Sequence, residues 1–134
     1  MKLFCAILML AVSNLSVAAE PEFSKQYSAC MNHTDGSPQD RIACMTAETN
    51  RQGAKLEASY KAVLQNTPKD QQERVRQAER DWLKFVKSNC DAYYDAGEQV
   101  GGMLAREEMH AQCKMTMAKE RNDDLKRLLE TRTM

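Results

Sequence analysis

Cysteine placement is the feature that most narrows what this chain can fold into. Cys30 and Cys44 are equidistant from residue 37, where Ser37-Pro38-Gln39-Asp40 reads as a helix start. Ser37 suits the N-cap, Pro38 the first helical position and Asp40 the positive end of the dipole. Cys90 and Cys113 are centred between Gly101 and Gly102, the last glycine punctuation of the chain. Two antiparallel helices rise equally on either side of their turn, so residues equidistant from it face each other. Of the three pairings that four cysteines allow, this symmetry selects Cys30–Cys44 and Cys90–Cys113. In the chain-entropy account a loop of ~15 residues contributes ~3 kcal/mol, a large share of the stability of a small domain.

The fifth cysteine, Cys5, belongs to a different kind of segment. Lys2 supplies a positive start, Leu3 to Val12 is apolar and uncharged, and Val17 and Ala19 occupy the −3 and −1 places before Glu20. That layout is a secretory signal over 1–19, cleaved near Ala19. Its apolar run is short of the ~20 residues a membrane-spanning helix needs. Cys5 stands at the front of that run rather than at a lipoprotein cleavage box, so it leaves with the leader. Cleavage leaves 134 − 19 = 115 residues, a single domain over 20–134. The whole chain carries 19 basic and 19 acidic residues; losing Lys2 makes the processed chain 18 against 19, a net of −1. A near-neutral total argues against nucleic acid as partner. No later segment reads as a membrane span, so stable insertion after cleavage is not expected. The implied destination is the periplasm or the exterior, an oxidising setting in which an even cysteine count reads as disulfides. The spacings of 14, 46 and 23 also lack the close pairs of a zinc site.

Thr67-Pro68-Lys69-Asp70 repeats the helix-start grammar, and no strand-like alternation occurs anywhere. The expected fold class is all-α: a small antiparallel bundle of three main helices, roughly 38–66, 68–96 and 102–130, preceded by a short helical piece around 23–32. Apolar stripes support it. The first helix offers Ile42, Met45, Thr49, Gly53, Leu56, Tyr60 and Val63. The second offers Val75, Ala78, Trp82, Phe85, Val86, Asn89 and Tyr93, and the third Met109, Cys113, Met117, Leu125, Leu128 and Leu129. Trp82, the only tryptophan, is expected at the centre of the core.

The run Leu56-Glu57-Ala58-Ser59-Tyr60, followed by Val75-Arg76-Gln77-Ala78-Glu79-Arg80-Asp81-Trp82 with Phe85 and Cys90 behind it, resembles the lysozyme-inhibitor LprI N-terminal domain family. The match continues in order and spacing through Gly101-Gly102, Cys113, Arg121 and Leu125, and covers roughly 30–129. Glu57 and Glu79 stand where the family usually has Asn and Gln, Val86-Lys87 where it has Arg-Asp, and Ala118 where it has Thr. Leu56, Tyr60, Trp82, Phe85, Gly101, Gly102, Arg121 and Leu125 form the core signature. The resemblance implies a small exported helical protein that binds and occludes a cell-wall-degrading lysozyme.

Two surface groups are candidates for contacting such a partner. Asp91, Tyr94, Asp95, Glu98, Glu107 and Glu108 gather around the glycine punctuation as an acidic end, suited to steering a basic lysozyme. Arg76 and Arg80 lie four apart on the second helix and could grip carboxylates, or simply make a solvated face of i,i+4 pairs. Met109, His110, Cys113, Met115 and Met117 raise the alternative of a periplasmic soft-metal binder. Helical spacing puts Met109, Cys113 and Met117 on the core stripe and turns His110 and Met115 elsewhere, so no metal or cofactor is expected. His33 and His110 have no nucleophile arranged beside them, and no phosphate loop occurs, so the chain is not expected to be an enzyme. The remaining alternative is a non-catalytic envelope adaptor or stress protein with no lysozyme target.

Overall fold

The computed structural model describes residues 23–134, so the leader and its cleavage site lie outside the described residues. Within them the chain forms helices α1 (Lys25–Met31), α2 (Pro38–Gln65) and α3 (Gln72–Thr133) and no strand. The all-α expectation holds. Ser24 caps α1 by accepting from the Tyr27 N–H. Ser37 caps α2 by accepting from the Asp40 N–H, with Pro38 behind it as the sequence implied. The Cys30–Cys44 bridge, with Cα atoms 5.7 Å apart, ties the two helices across their turn.

Helix α3 doubles back at Gly101-Gly102. Gly102 has φ 70° and ψ −151°, a conformation open to glycine and costly for any residue with a Cβ. The arms 72–100 and 103–133 run antiparallel and are bridged by Cys90–Cys113, Cα atoms 5.5 Å apart. Both disulfides are those that turn symmetry selected. The first arm runs past the expected end at residue 96, through Gly97, to the reversal. A Cβ at Gly97 would sit 2.5 Å from the Arg106 Cα and 2.6 Å from its backbone nitrogen, so glycine lets the arms meet backbone to backbone.

The second proline signal works differently from the first. Thr67 is buried, and its hydroxyl donates to the Val63 carbonyl at 2.6 Å, closing α2 instead of capping the next helix. The Gln72 side-chain amide then bonds the Leu64 and Thr67 carbonyls, and the helix starts at Gln72 rather than at Pro68.

Arg41 pairs with Glu108 and Ser59 with Asn122, so α2 and the arm 103–133 run in the same direction. The arm 72–100 is antiparallel to both. At the base Val63, Val75 and Leu125 form a cluster, with Leu56, Tyr60, Leu64 and Leu129 packed around it. Further up, Met45, Ala111 and Met115 are covered by Phe23, Tyr27, Met31 and Ile42. Full burial of such side chains is worth about 1.5–3 kcal/mol each.

Some expected core positions move. Phe85 is 55% exposed and Ala78 is exposed, because the inward line of the arm 72–100 is Val75, Glu79, Cys90 and Gly97, with Trp82 and Val86 half-buried beside it. Glu79 takes an inward place by pairing with Arg121 at 3.0 Å, a polar solution that apolar spacing does not register. Trp82 sits at the edge of the core, its ring centroid 5.8 Å from the Arg121 guanidinium carbon. Met115, expected off the stripe, is buried against Met45 and Ala111. The arm 103–133 touches α2 on one face and its partner arm on another, and therefore buries two stripes instead of one.

Candidate functional site

The two arms of α3 outlast α2. With Arg41 level with Glu108, Pro38 stands level with residue 105, and the reversal lies roughly 5 Å beyond the end of α2 at 1.5 Å per residue. Two contacts between its arms brace this tip. The Cys90–Cys113 bridge closes it below, and the Gly97–Arg106 backbone contact closes it above.

Arg106, which sequence reasoning did not single out, organises the tip. Its guanidinium lies over the Tyr94 ring, 4.2 Å from the centroid. It donates to Glu98 Oε2 at 2.7 Å, and Asp95 Oδ1 is 4.0 Å away. The Glu98 bond holds the Arg106 pKa above its usual value. Tyr94 also meets His110 edge-on at 5.6 Å. Asp91 accepts from Lys87 at 2.6 Å, which holds its carboxyl below the usual range, and faces His110 at 3.8 Å. The fold thus brings Asp91, Tyr94, Asp95 and Glu98 together on one end, but as a partnered set instead of a bare acidic patch. Glu108 is drawn into the bundle by a two-bond pairing with Arg41, at 2.6 and 2.8 Å, which depresses its pKa.

Between these polar groups and the reversal the surface is apolar. Val100 is 73%, Met103 75% and Leu104 41% exposed. Scattered surface apolar residues are ordinary, whereas a contiguous apolar protrusion rimmed by charge is the form of a contact site. The signal was present in the sequence: Val100-Gly101-Gly102-Met103-Leu104 is a reversal without a polar residue.

Arg76 and Arg80 are not part of this cluster. Arg80 donates to Glu73 at 2.6 Å, Arg76 lies 3.7 Å from the same carboxylate, and the Arg80 bond lowers the Glu73 pKa. From Arg80 to Asp95 along the helix is roughly 22 Å at 1.5 Å per residue.

Met109, Cys113 and Met117 share one face, as their spacing required, and line a groove of about 310 Å³ with Asn89 and Tyr93. Asn89 Nδ2 lies 3.5 Å from Cys113 Sγ and 3.6 Å from Met117 Sδ. His110 is turned towards Tyr94, Met115 is in the core, and Cys113 is in its disulfide. Among the described residues no three His, Cys, Asp or Glu side chains are grouped to hold a metal ion. No helix of the described residues is long and apolar enough to cross a membrane.

Comparison with known proteins adds one finding. The family model described as Lysozyme inhibitor LprI matches residues 30–125, from the first bridged cysteine to the buried Leu125 of the base. No curated protein and no solved structure matches the chain.

Proposed function

The chain belongs to the Lysozyme inhibitor LprI family, and from that premise we propose that it is an exported envelope protein that binds a cell-wall-degrading lysozyme and occludes its cleft, without catalysis of its own. The leader over 1–19 delivers it to the periplasm or beyond, where its two disulfides form. A lysozyme works through two carboxylates flanking the scissile bond in a cleft, and a rigid wedge of suitable width is enough to exclude the glycan. The observation that carries the reading is the α3 tip, an apolar edge of Val100, Met103 and Leu104 on a disulfide-braced hairpin.

In this contact Val100 and Met103 supply desolvated anchors at the centre, where a few side chains carry most of the binding free energy. Asp95 and Glu98, with Asp91 and Tyr94 below them, form the rim that steers a basic partner. Rim charges act mainly on encounter, so salt is expected to slow association more than it speeds dissociation. Arg76 and Arg80 reach only a partner that extends well down the arm.

The test is lysis of bacterial cell walls by hen-type and other lysozymes, titrated with the oxidised, processed protein. Near-stoichiometric inhibition is expected, and Val100→Asp with Met103→Asp should abolish it while unfolding is unchanged. Inhibition that survives both substitutions removes the tip from the contact. Indifference of every lysozyme class leaves the same exposed tip as the contact of a non-catalytic envelope adaptor.

A further inference from the structure

Beside the inward line of the arm 72–100 runs a second line of side chains, most of them exposed. Ala78, Trp82, Phe85, Asn89, Tyr93, Ala96 and Val100 follow one another by three or four residues, the spacing of a helical seam. The seam is about 33 Å long at 1.5 Å per residue, and none of its residues is charged. Phe85 and Tyr93 are 55% and 50% exposed, Ala78, Ala96 and Val100 are exposed, and Trp82 and Asn89 are half-buried. Asn89 and Tyr93 also form one wall of the groove of about 310 Å³ that Met109, Cys113 and Met117 line from the other arm.

The seam is symmetric about Asn89. Phe85 and Tyr93 are equidistant from it, as are Trp82 and Ala96, and Ala78 and Val100. Two copies laid antiparallel therefore match position for position, with a large side chain against a small one at Trp82–Ala96 and at Val100–Ala78. An isologous contact requires this self-complementarity. Charge has the same symmetry. Arg80, Lys84 and Lys87 precede Asn89, while Asp91, Asp95 and Glu98 follow it at matching distances to within one residue. Asp81, the exception in the basic half, lies 3.6 Å from Lys84. These groups stand on the flank of the arm away from the seam, where Lys87 pairs with Asp91 and Glu98 with Arg106. Packed helices lie ~8–10 Å apart, about one Debye length at physiological salt. An antiparallel neighbour thus sets basic half beside acidic half within range of attraction, whereas a parallel one sets like beside like.

We propose that this seam is an interface with a second copy of the chain, packed antiparallel about a two-fold axis at Asn89. Phe85 of each copy lies level with Tyr93 of the other and enters the groove beside it, where Met109 and Met117 offer thioether contacts to its ring. Asn89 meets its own mate. Within one copy its amide nitrogen has only sulfur acceptors, Cys113 Sγ at 3.5 Å and Met117 Sδ at 3.6 Å, which are weak. A single polar residue in an apolar seam fixes register and orientation. A strip one helix wide, about 10 Å, covers less than the ~800 Å² per partner of a standard interface, so the pair is a reversible one. Val100 ends the seam and also belongs to the tip, so pairing and occupation of the tip compete for that side chain. The pairing itself does not depend on what the tip binds.

The test is analytical ultracentrifugation of the oxidised, processed protein between about 1 μM and 1 mM, the range of weak pairs with small interfaces. A reversible monomer–dimer equilibrium is expected. Phe85→Asp and Tyr93→Lys, both at exposed positions, should each weaken it at least tenfold with thermal unfolding unchanged. The two substitutions in one chain should recover most of the loss, because position 85 faces position 93 of the other copy only in the antiparallel register. Leu83→Asp, exposed but off the seam, should associate like the unmodified chain. A monomer at every concentration would overturn the second copy as occupant and leave the seam to a helix of a different protein. A dimer that survives both single substitutions would overturn the seam as the interface. A double variant as weak as the single ones would overturn the antiparallel register.

Discussion

The base and the tip of the bundle are built from the same helix by opposite means. At the base α2 and both arms of α3 converge on Val63, Val75 and Leu125, and the Glu79–Arg121 pair closes the α3 arms just above. At the tip the two arms reach past α2, held by one glycine-mediated backbone contact and the Arg106 cluster, with Val100 and Met103 facing outwards. The lesson is a division of labour within one sequence. Apolar side chains at the base are spent on stability, while those at the tip contribute none and remain available to a partner. The bridge lies within the three-helix region, beside Met45, Ala111 and Met115, and beyond it the Gly97–Arg106 contact alone brings the arms together backbone to backbone.

The difference can be pressed from either side. The largest effect belongs at the base: Leu125→Ala should lose about 2–5 kcal/mol, the usual range for a fully buried leucine. Urea unfolding measures it, and folded molecules of the variant should inhibit as before. If inhibition falls in proportion to stability, the base and the tip are not separable. Replacing Cys90 and Cys113 together by Ser should cost about 3 kcal/mol in the loop-entropy account. Amide exchange should then quicken mainly over 92–110, with the base still protected, and a uniform increase would contradict the picture of a locally braced tip.

Gly97→Ala is smaller. Its Cβ meets Arg106 backbone atoms that cannot swing aside, and forcing the arms apart should cost about 1–3 kcal/mol. Thermal melts give that value, and inhibition should weaken more than stability alone explains. A neutral outcome on both readings would mean that the arms do not meet there. The smallest effect is expected at α1. Burial raises the Glu48 pKa, but hydrogen bonds from Ser24, Gln52 and Arg51 outweigh it and bring the carboxyl from the ordinary 4.5 down to about 2. A depressed folded pKa means that the stabilisation is complete above 4.5 and is lost as pH falls towards 2. Acid should therefore loosen the Ser24–Glu48 junction, seen as faster exchange at Ser24, and Glu48→Gln should remove that pH dependence.

Several features were legible before any coordinates. The Ser37-Pro38 start, the reversal at Gly101-Gly102 and the cysteine symmetry about both are local or metric properties, fixed by backbone chemistry and helical rise. Leu56, Tyr60 and Leu125 lie in or against the base cluster, as the family signature suggested. The less legible parts share one cause. Periodicity counts apolar residues, so it passed over Glu79, Glu48, Gln52 and Asn122, which are buried because each finds a polar partner on the same or a neighbouring helix. It also placed Phe85 and Trp82 too far inwards, since a one-residue step turns a helical position by about 100°.

What the sequence determined by itself is the class, the topology and the cross-links: helices, where they reverse, and which sulfurs meet. Each depends on chain-local conformation or on distance from a turn. The tertiary structure alone decided which side chains are unneeded for the core. Val100, Met103 and Leu104 are exposed because α2 ends before reaching them, and Phe85 and Tyr93 because no described helix lies across their side of the arm. Exposure at these positions is a property of what the neighbouring helices fail to cover, and no residue carries that information about itself.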